Sequence, residues 1–267
     1  MSSSHLIAPP LACDTHMHIF DVGTGPPNAT VAEYRKVAAR MGTTRAVIVQ
    51  PNGYGLDNTV TLRAIAALGF ERTRGIATVD ASIADAELER MTAAGIRGAR
   101  LHMLPGGALT WDALEPVAAR VVPFGWHVQL QMDGRDLAQR EEQLSRLPGT
   151  LVIDHVGKFL EPVTPSHPGF AALLRLLENG RTWLKLSAPY EVSKAGPPHY
   201  DDVGALAKLA AKAAPERMLW ASNWPHVSLQ PGPDDVMLLD LLLDWVPDEG
   251  VRHKILVENP AQLYGFS

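Results

Sequence analysis

The sequence lacks most of the features that assign a protein quickly. It holds one cysteine, Cys13, inside an apolar run, so no intramolecular disulfide can form and a reducing, cytoplasmic setting is expected. No apolar stretch is long enough to cross a bilayer, and the start MSSSHLIAPP has neither the basic head nor the long apolar segment of a secretory leader. Charge of neither sign dominates: 24 Lys and Arg face 29 Asp and Glu, a net charge of −5. That excludes a dedicated binder of nucleic acid or anionic membrane and leaves any anionic substrate to a few local cations. No G-x-G-x-x-G follows the first candidate strand, which counts against an open dinucleotide-binding sheet. Low-complexity tracts and linkers are absent too, so after a loose arm at residues 1–10 a single domain over 11–267 is expected.

What the sequence has is alternation. Short apolar runs at 11–16, 46–50, 75–79, 98–102, 127–131, 151–155, 183–186 and 218–221 read as strands. Between them, stretches at 31–41, 58–68, 83–94, 111–122, 137–147, 170–178 and 203–213 carry apolar residues at three- and four-residue spacing and read as helices. Strand and helix taken in turn eight times predict an α/β fold, a (β/α)8 TIM barrel. Terminal helices follow at 236–245 and 251–257, and Asn259-Pro260 opens a last one. The proline-rich stretch at 162–168 and the segment 195–200 are expected to roof the catalytic end as loops after strands six and seven.

Polar residues gather at corresponding ends of the strands. Strand alternation places Asp14, His16 and His18 on one face. Asn52 follows strand two, and Arg100 and His102 lie on strand four. Gln129 and Gln131 lie on strand five, and His155 and Lys158 follow strand six. Lys185, Tyr190 and Glu191 lie on and after strand seven, and the stretch RMLWASNWPH delivers Asn223 and His226 after strand eight. Two histidines in an apolar segment are more often core groups than ligands, but so many polar groups at matching ends do not read as core filling.

Three motifs, DTHMHIFD (Asp14 to Asp21), IDHVGK (Ile153 to Lys158) and WASNWPH (Trp220 to His226), resemble the amidohydrolase superfamily, and more narrowly its lactone-processing branch. VIVQPNGYGLDN, GARLHMLPGGA and LVENPAQLYG extend the likeness along the chain. The resemblance implies a barrel acting on a cyclic ester. His16, His18 and His155 would surround and polarise the lactone carbonyl, Arg100 would bind a substrate carboxylate, and Asn223 would face the carbonyl carbon. Asn52, His102, Gln131, Lys158, Tyr190 and His226 complete the candidate binding set. His102 serves equally as a substrate donor or a structural group, and His226 as an orienter of Asn223.

Two departures from the hydrolytic members decide the chemistry. Their strand-eight aspartate activates water, whereas an amide has no accessible basic pKa. Hydrolases of a planar pyrone dicarboxylate surround it with further arginines and a tyrosine; here the matching loops offer Gly106, Gln131 and Glu191. LKLSAPYEVSK and the Leu104–Gly107 turn look more like the isomerases of the branch, which share the asparagine. The expected activity is therefore conversion of a galactaro-type 1,5-lactone to the 1,4-lactone by intramolecular acyl transfer, with a tethered hydroxyl as nucleophile and the three histidines as donors to the oxyanion.

The rivals are a lactonase in which Asp133, Glu191 or a histidine activates water on a carboxylated, 2-pyrone-4,6-dicarboxylate-like lactone, a metal-dependent hydrolase, and a lactone binder without turnover. Many superfamily members hold a divalent metal on the His-x-His pair. With glutamine at strand five and asparagine at strand eight, no cofactor is expected here, zinc on His16, His18 and His155 being the residual alternative. Cys13 reads as packing. The expected partner is a small carboxylated lactone, with neither nucleic acid nor membrane involved, and no feature of the sequence speaks to oligomeric state.

Overall fold

The computed structural model of the protein describes residues 5–26 and 29–267. Its eight strands are β1 (Cys13–Met17), β2 (Arg45–Val49), β3 (Thr73–Ala77), β4 (Ile96–His102), β5 (His127–Gln131), β6 (Leu151–Ile153), β7 (Thr182–Leu186) and β8 (Met218–Trp220). Neighbours in sequence are neighbours in the sheet, and every recorded pairing is parallel. The ends of the sheet meet: Asn223 N donates to His16 O at 2.8 Å, His18 N donates to Trp224 O at 2.8 Å, and the Thr15 hydroxyl donates to Trp220 O. Helices α1 (Val31–Met41), α2 (Thr59–Leu68), α3 (Asp85–Ala93), α4 (Leu114–Val121), α5 (Leu137–Arg146), α6 (Pro168–Glu178) and α7 (Asp201–Ala213) connect successive strands. The outcome is the (β/α)8 barrel that the alternation predicts. Beyond it lie α8 (Asp235–Trp245), α9 (Glu249–His253), a π-helical turn and α10 (Asn259–Tyr264).

Both faces of each strand are buried, which is why the strands read as nearly continuous apolar runs. Ile48, Leu101, Leu130 and Leu184 join the outer core with helix residues such as Leu88, Val117 and Leu173. Cys13, Val47, Val49, Ile76, Val152 and Leu219 form a separate inner cluster. Tyr264 and Phe266 join that cluster from the chain's end, where Arg74 Nε donates to Tyr264 O and the Tyr264 ring stands edge-on to His127. The mouth at the strands' N-terminal ends is thus filled with apolar side chains. Cys13 is fully buried there, its thiol pKa raised by burial, as a packing role requires.

Three expectations are corrected. Residues 1–4 of the anticipated arm lie outside the described residues, but the part that follows is held: Leu6 N donates to Asp240 on α8 and His5 pairs with the same carboxylate. Secondly, Asp14 does not share a face with His16 and His18. The β1–β2 register shifts between Asp14 and Met17, so the simple alternation fails there. Asp14 turns toward α1 and β8, accepting from the Tyr34 hydroxyl and from both the hydroxyl and backbone N–H of Ser222, while His16 turns into the barrel. Thirdly, the loops at 162–168 and 195–200 do not line the main cavity; the β1–α1 connection and the segment after β8 do. Among the described residues no helix is long and apolar enough to cross a membrane.

Candidate active site

The C-terminal ends of β6, β7 and β8 hold their side chains on strained backbone. His155, Val156 and Lys158 after β6, Ala188 after β7, and Asn223 and His226 after β8 all have φ between 46° and 60°. A residue with a Cβ loses about 1–2 kcal/mol in that left-handed region, and valine, branched at Cβ, is among the least suited. Short turns impose it: Lys158 N donates to His155 O at 2.8 Å, and His226 N to Asn223 O at 3.0 Å. Such concentrations of strain belong to sites where side-chain direction matters, and these turns aim His155, Lys158 and Asn223 into one space.

That space is a cavity of about 410 Å³, within the range of small-molecule sites. His18, Asn52, Arg100, His102 and Gln131 line one part of it; His155, Lys158, Glu191 and Asn223 line another. Arg100 carries the first group. Its Nη atoms donate to Gln50 O at 3.1 Å, Asn52 Oδ1 at 3.2 Å and Gln131 Oε1 at 2.7 Å. Two of its five N–H groups, Nε–H among them, keep no protein partner, the number that a carboxylate engages in a bidentate pair. Asn52 and Gln131 therefore orient the guanidinium. His102 is held at about 4, mainly by burial and then by Arg100, so it is neutral at pH 7. Lys158 is paired with Glu191.

Tyr190 and His226 stand behind Asn223 instead of on the cavity wall. Asn223 Nδ2 donates to the Tyr190 hydroxyl at 2.8 Å and faces Glu191 Oε1 at 3.4 Å. The Tyr190 hydroxyl also meets His226 Nδ1 at 2.8 Å, and His226 Nε2 meets Asp235 Oδ1 at 3.1 Å. Burial and Glu191 push the Tyr190 phenol well above its ordinary pKa. It stays protonated, and the chain of bonds from Asn223 through Tyr190 and His226 to Asp235 fixes which way the amide points.

His16 is fully buried and does not line the cavity; its ring centroid lies 4.9 Å from those of both His18 and His155. Beneath it is Lys185, also fully buried, which donates to Thr15 O at 2.9 Å and Gln129 Oε1 at 2.8 Å and lies 3.7 Å from Asp154 Oδ1. Gln129 Nε2 donates onward to Asp154 Oδ2 at 3.2 Å. Both Lys185 Nζ and Gln129 Nε2 sit 3.4 Å from His16 Nδ1. The carboxylate Oδ1 of Asp154, only an acceptor, is nearer still at 3.3 Å, so two donors and one acceptor meet that nitrogen. His18 is settled by its backbone contact: its Nδ1 donates to Val49 O at 2.8 Å. Burial, then Arg100, holds it at about 3, so its Nε2 presents a lone pair. His155 Nδ1 meets the Ser187 hydroxyl at 2.8 Å, which can act in either sense. Three equivalent histidine donors, as the resemblance implied, are not what the fold builds.

The eight-stranded barrel, the cavity at the strands' C-terminal ends and the His-x-His strand coincide with a match of the amidohydrolase family model to residues 13–266. The chain belongs to the amidohydrolase family. Among its relatives, this amidohydrolase is 38% identical to the D-galactarolactone isomerase of Agrobacterium fabrum, over 96% of this chain and 91% of that protein. It is 32% identical to the 2-pyrone-4,6-dicarboxylate hydrolase of Comamonas testosteroni, over 95% and 90%. An apo crystal structure from Agrobacterium tumefaciens superposes with a TM-score of 0.91 at 38% identity, covering 97% of each chain.

Whether the amidohydrolase's site suits a metal is decided by charge. Among the described residues the group with ligand spacing is His16, Asp154 and His155, whose atoms lie within 4.8 Å of one another; Asp154, not His18, is its third member. The local charge weighs against a dication there. Lys185 already stands at ion-pair distance from Asp154, and with Arg100 and Lys158 it makes three cations against the carboxylates of Asp154 and Glu191. That surplus of positive charge suits an anionic ligand and repels a second cation. Asp133, one of the candidate water activators, is bound by Arg135 through its backbone and guanidinium and lies outside the cavity wall. The sequence alone does not single out Asp154 and gives Lys185 no role; a lysine between two leucines on a buried strand is the available signal.

Proposed function

We propose that the protein isomerises a carboxylated sugar-acid lactone, a galactaro-type 1,5-lactone giving the 1,4-lactone, without a metal. The observation that carries the reading is Asn223: at the end of β8 the cavity wall presents an amide, its Nδ2 committed to Tyr190 and Glu191, and an amide at that position cannot take a proton from water. The similarity to an isomerase of this kind supports it.

In this reading the substrate carboxylate pairs with the Arg100 guanidinium on the cavity wall. The carbonyl faces His155, which offers Nε2–H when Ser187 donates to its Nδ1. Lys158 adds positive charge where the oxyanion develops. A hydroxyl of the substrate attacks the carbonyl carbon, and the ring oxygen leaves. Tethering supplies the orientation that a hydrolase must impose on water.

The test is rearrangement in oxygen-18 water, followed by NMR and mass spectrometry. Unlabelled 1,4-lactone is expected; label in an open-chain product would instead support the hydrolytic reading that the pyrone dicarboxylate hydrolase suggests. Asn223→Asp is expected to lower the rearrangement about tenfold or more, since a carboxylate there would face Glu191. An unchanged rate would remove Asn223 from the site.

A further inference from the structure

The arrangement around Asn223 leaves one question open in the proposed chemistry: which group takes the proton of the attacking hydroxyl. We propose that it is Glu191, with Asn223 and Lys158 as the residues that position it; the assignment rests on the lactone-processing reading above.

Glu191 is the one carboxylate lining the cavity among the described residues. It stands on the short turn Pro189–Glu191 that follows left-handed Ala188, with its N–H donating to Ala188 O. Three groups from two other loops fix its oxygens. Oε2 pairs with Lys158, while Oε1 accepts from the Ser228 hydroxyl at 2.8 Å and faces Asn223 Nδ2 at 3.4 Å. The Lys158 ammonium stands at ion-pair distance on one oxygen, and the other oxygen faces the cavity side with Ser228 and Asn223. Of the other groups in the cavity, Arg100, Lys158 and Asn223 are donors, His155 is the donor to the carbonyl in the reading above, and His102 is held at about 4 with the Arg100 charge beside it. The free lone pair of His18 belongs to a ring held at about 3, a weak acceptor.

The same geometry explains why an amide, and not an acid, belongs at position 223. Two carboxylates 3.4 Å apart cannot both ionise. An aspartate there would set one proton between itself and Glu191, whereas an amide donates to Glu191 and leaves it charged. An asparagine at the end of β8 is thus the residue that suits an acid on the turn after β7.

The step balances without water. The hydroxyl proton passes to Glu191 as the hydroxyl oxygen bonds to the carbonyl carbon and the carbonyl electron pair moves onto its oxygen. When that pair returns, the ring C–O bond breaks and the departing oxygen takes the proton from Glu191. The carboxylate is regenerated, and the reverse reaction uses the same route. The groups facing Glu191, which set the pH range in which it works, are Lys158 after β6, Tyr190 beside it, Asn223 and Ser228 after β8, and the charge of Arg100 from β4.

The test is steady-state kinetics of lactone interconversion for wild type, Glu191→Gln and Glu191→Asp, with thermal unfolding as a folding check. Glu191→Gln is expected to lower kcat about 100-fold or more, to leave KM within about threefold, and to abolish the acidic limb of the pH–kcat profile. A kcat within tenfold of wild type, or an acidic limb that persists, overturns the assignment. Should Glu191→Gln not fold, Glu191→Asp reads the same point: a lower kcat with the limb retained supports it, and an unchanged kcat overturns it. If wild-type protein incorporates label from water, the isomerase reading fails, and the same variants still report whether Glu191 moves the proton.

Discussion

Lys185 shows how much of the site hangs on one side chain. A lysine with no solvent exposure is held at about 8 instead of 10.5, chiefly by burial, with Asp154 acting in the opposite direction. It is still a cation at neutral pH. Lys185→Met is expected to leave Asp154 as an uncompensated buried charge, a loss of about 3–5 kcal/mol, visible as a lower thermal midpoint. It would also vacate the position that repels a dication, so zinc should bind the variant through His16, Asp154 and His155 and restore part of the lost midpoint. Stoichiometric zinc in wild-type protein, or a variant indifferent to zinc, would defeat the idea that the lysine is the resident cation. The sequence displayed Lys185 but not its role. LKL in a strand shows that a charge is buried; only the barrel shows Gln129, His16 and Asp154 meeting it from three other strands. His16 and His18 are legible as a pair, yet their partners, Lys185, Gln129 and Asp154 for the one and Val49 O for the other, come from strands that periodicity does not connect.

At the level of elements, the strands and helices were legible because both signals, apolar runs and three-to-four spacing, are local. Helices α1, α5 and α7 fall almost where the spacing predicts them. The failure at Asp14 is equally instructive: DTHMH alternates cleanly on paper, but a register shift against β2 turns Asp14 outward, and nothing in five residues announces a shift set by the neighbouring strand. Tyr190 and His226 are legible as site residues but act through Asn223, a distinction that rests on how the turns after β7 and β8 face each other. Backbone strain separates function from accident. Leu11, half exposed with φ 67° in the turn before β1, lies at the opposite end of the barrel from the strained turns of the site. Leu11→Asn, which tolerates that conformation, is expected to stabilise the protein by about 0.5–1 kcal/mol with turnover unchanged; a lower thermal midpoint would show that Leu11 contributes contacts outweighing its backbone.

Across the whole molecule, buried neutral histidines set the response to acid. His18 and His127 are each held at about 3 by burial, against 6.5 in an open chain. Their contribution is complete above pH 6.5 and is lost as pH falls toward 3, because the unfolded chain takes up protons that the folded one refuses. At pH 5 this amounts to about 2 kcal/mol for each. Asp14 works the other way. Held at about 6 by burial, it contributes stability that is full below 3.8 and lost as pH rises through 6. Two histidines outweigh one aspartate, so the thermal midpoint should fall between pH 7 and pH 5, and His127→Gln should flatten the decline. A midpoint that rises on acidification would contradict this balance.

The seal that Tyr264 and Phe266 make at one mouth of the barrel has a practical corollary. Durability is stored where the chain's tail enters, and reactivity where the turns after β6, β7 and β8 open, with the width of the sheet between them. Reinforcing the first should leave the second untouched, so a hardier version of this protein could be sought by altering its floor while a lactone of different shape is courted at its rim.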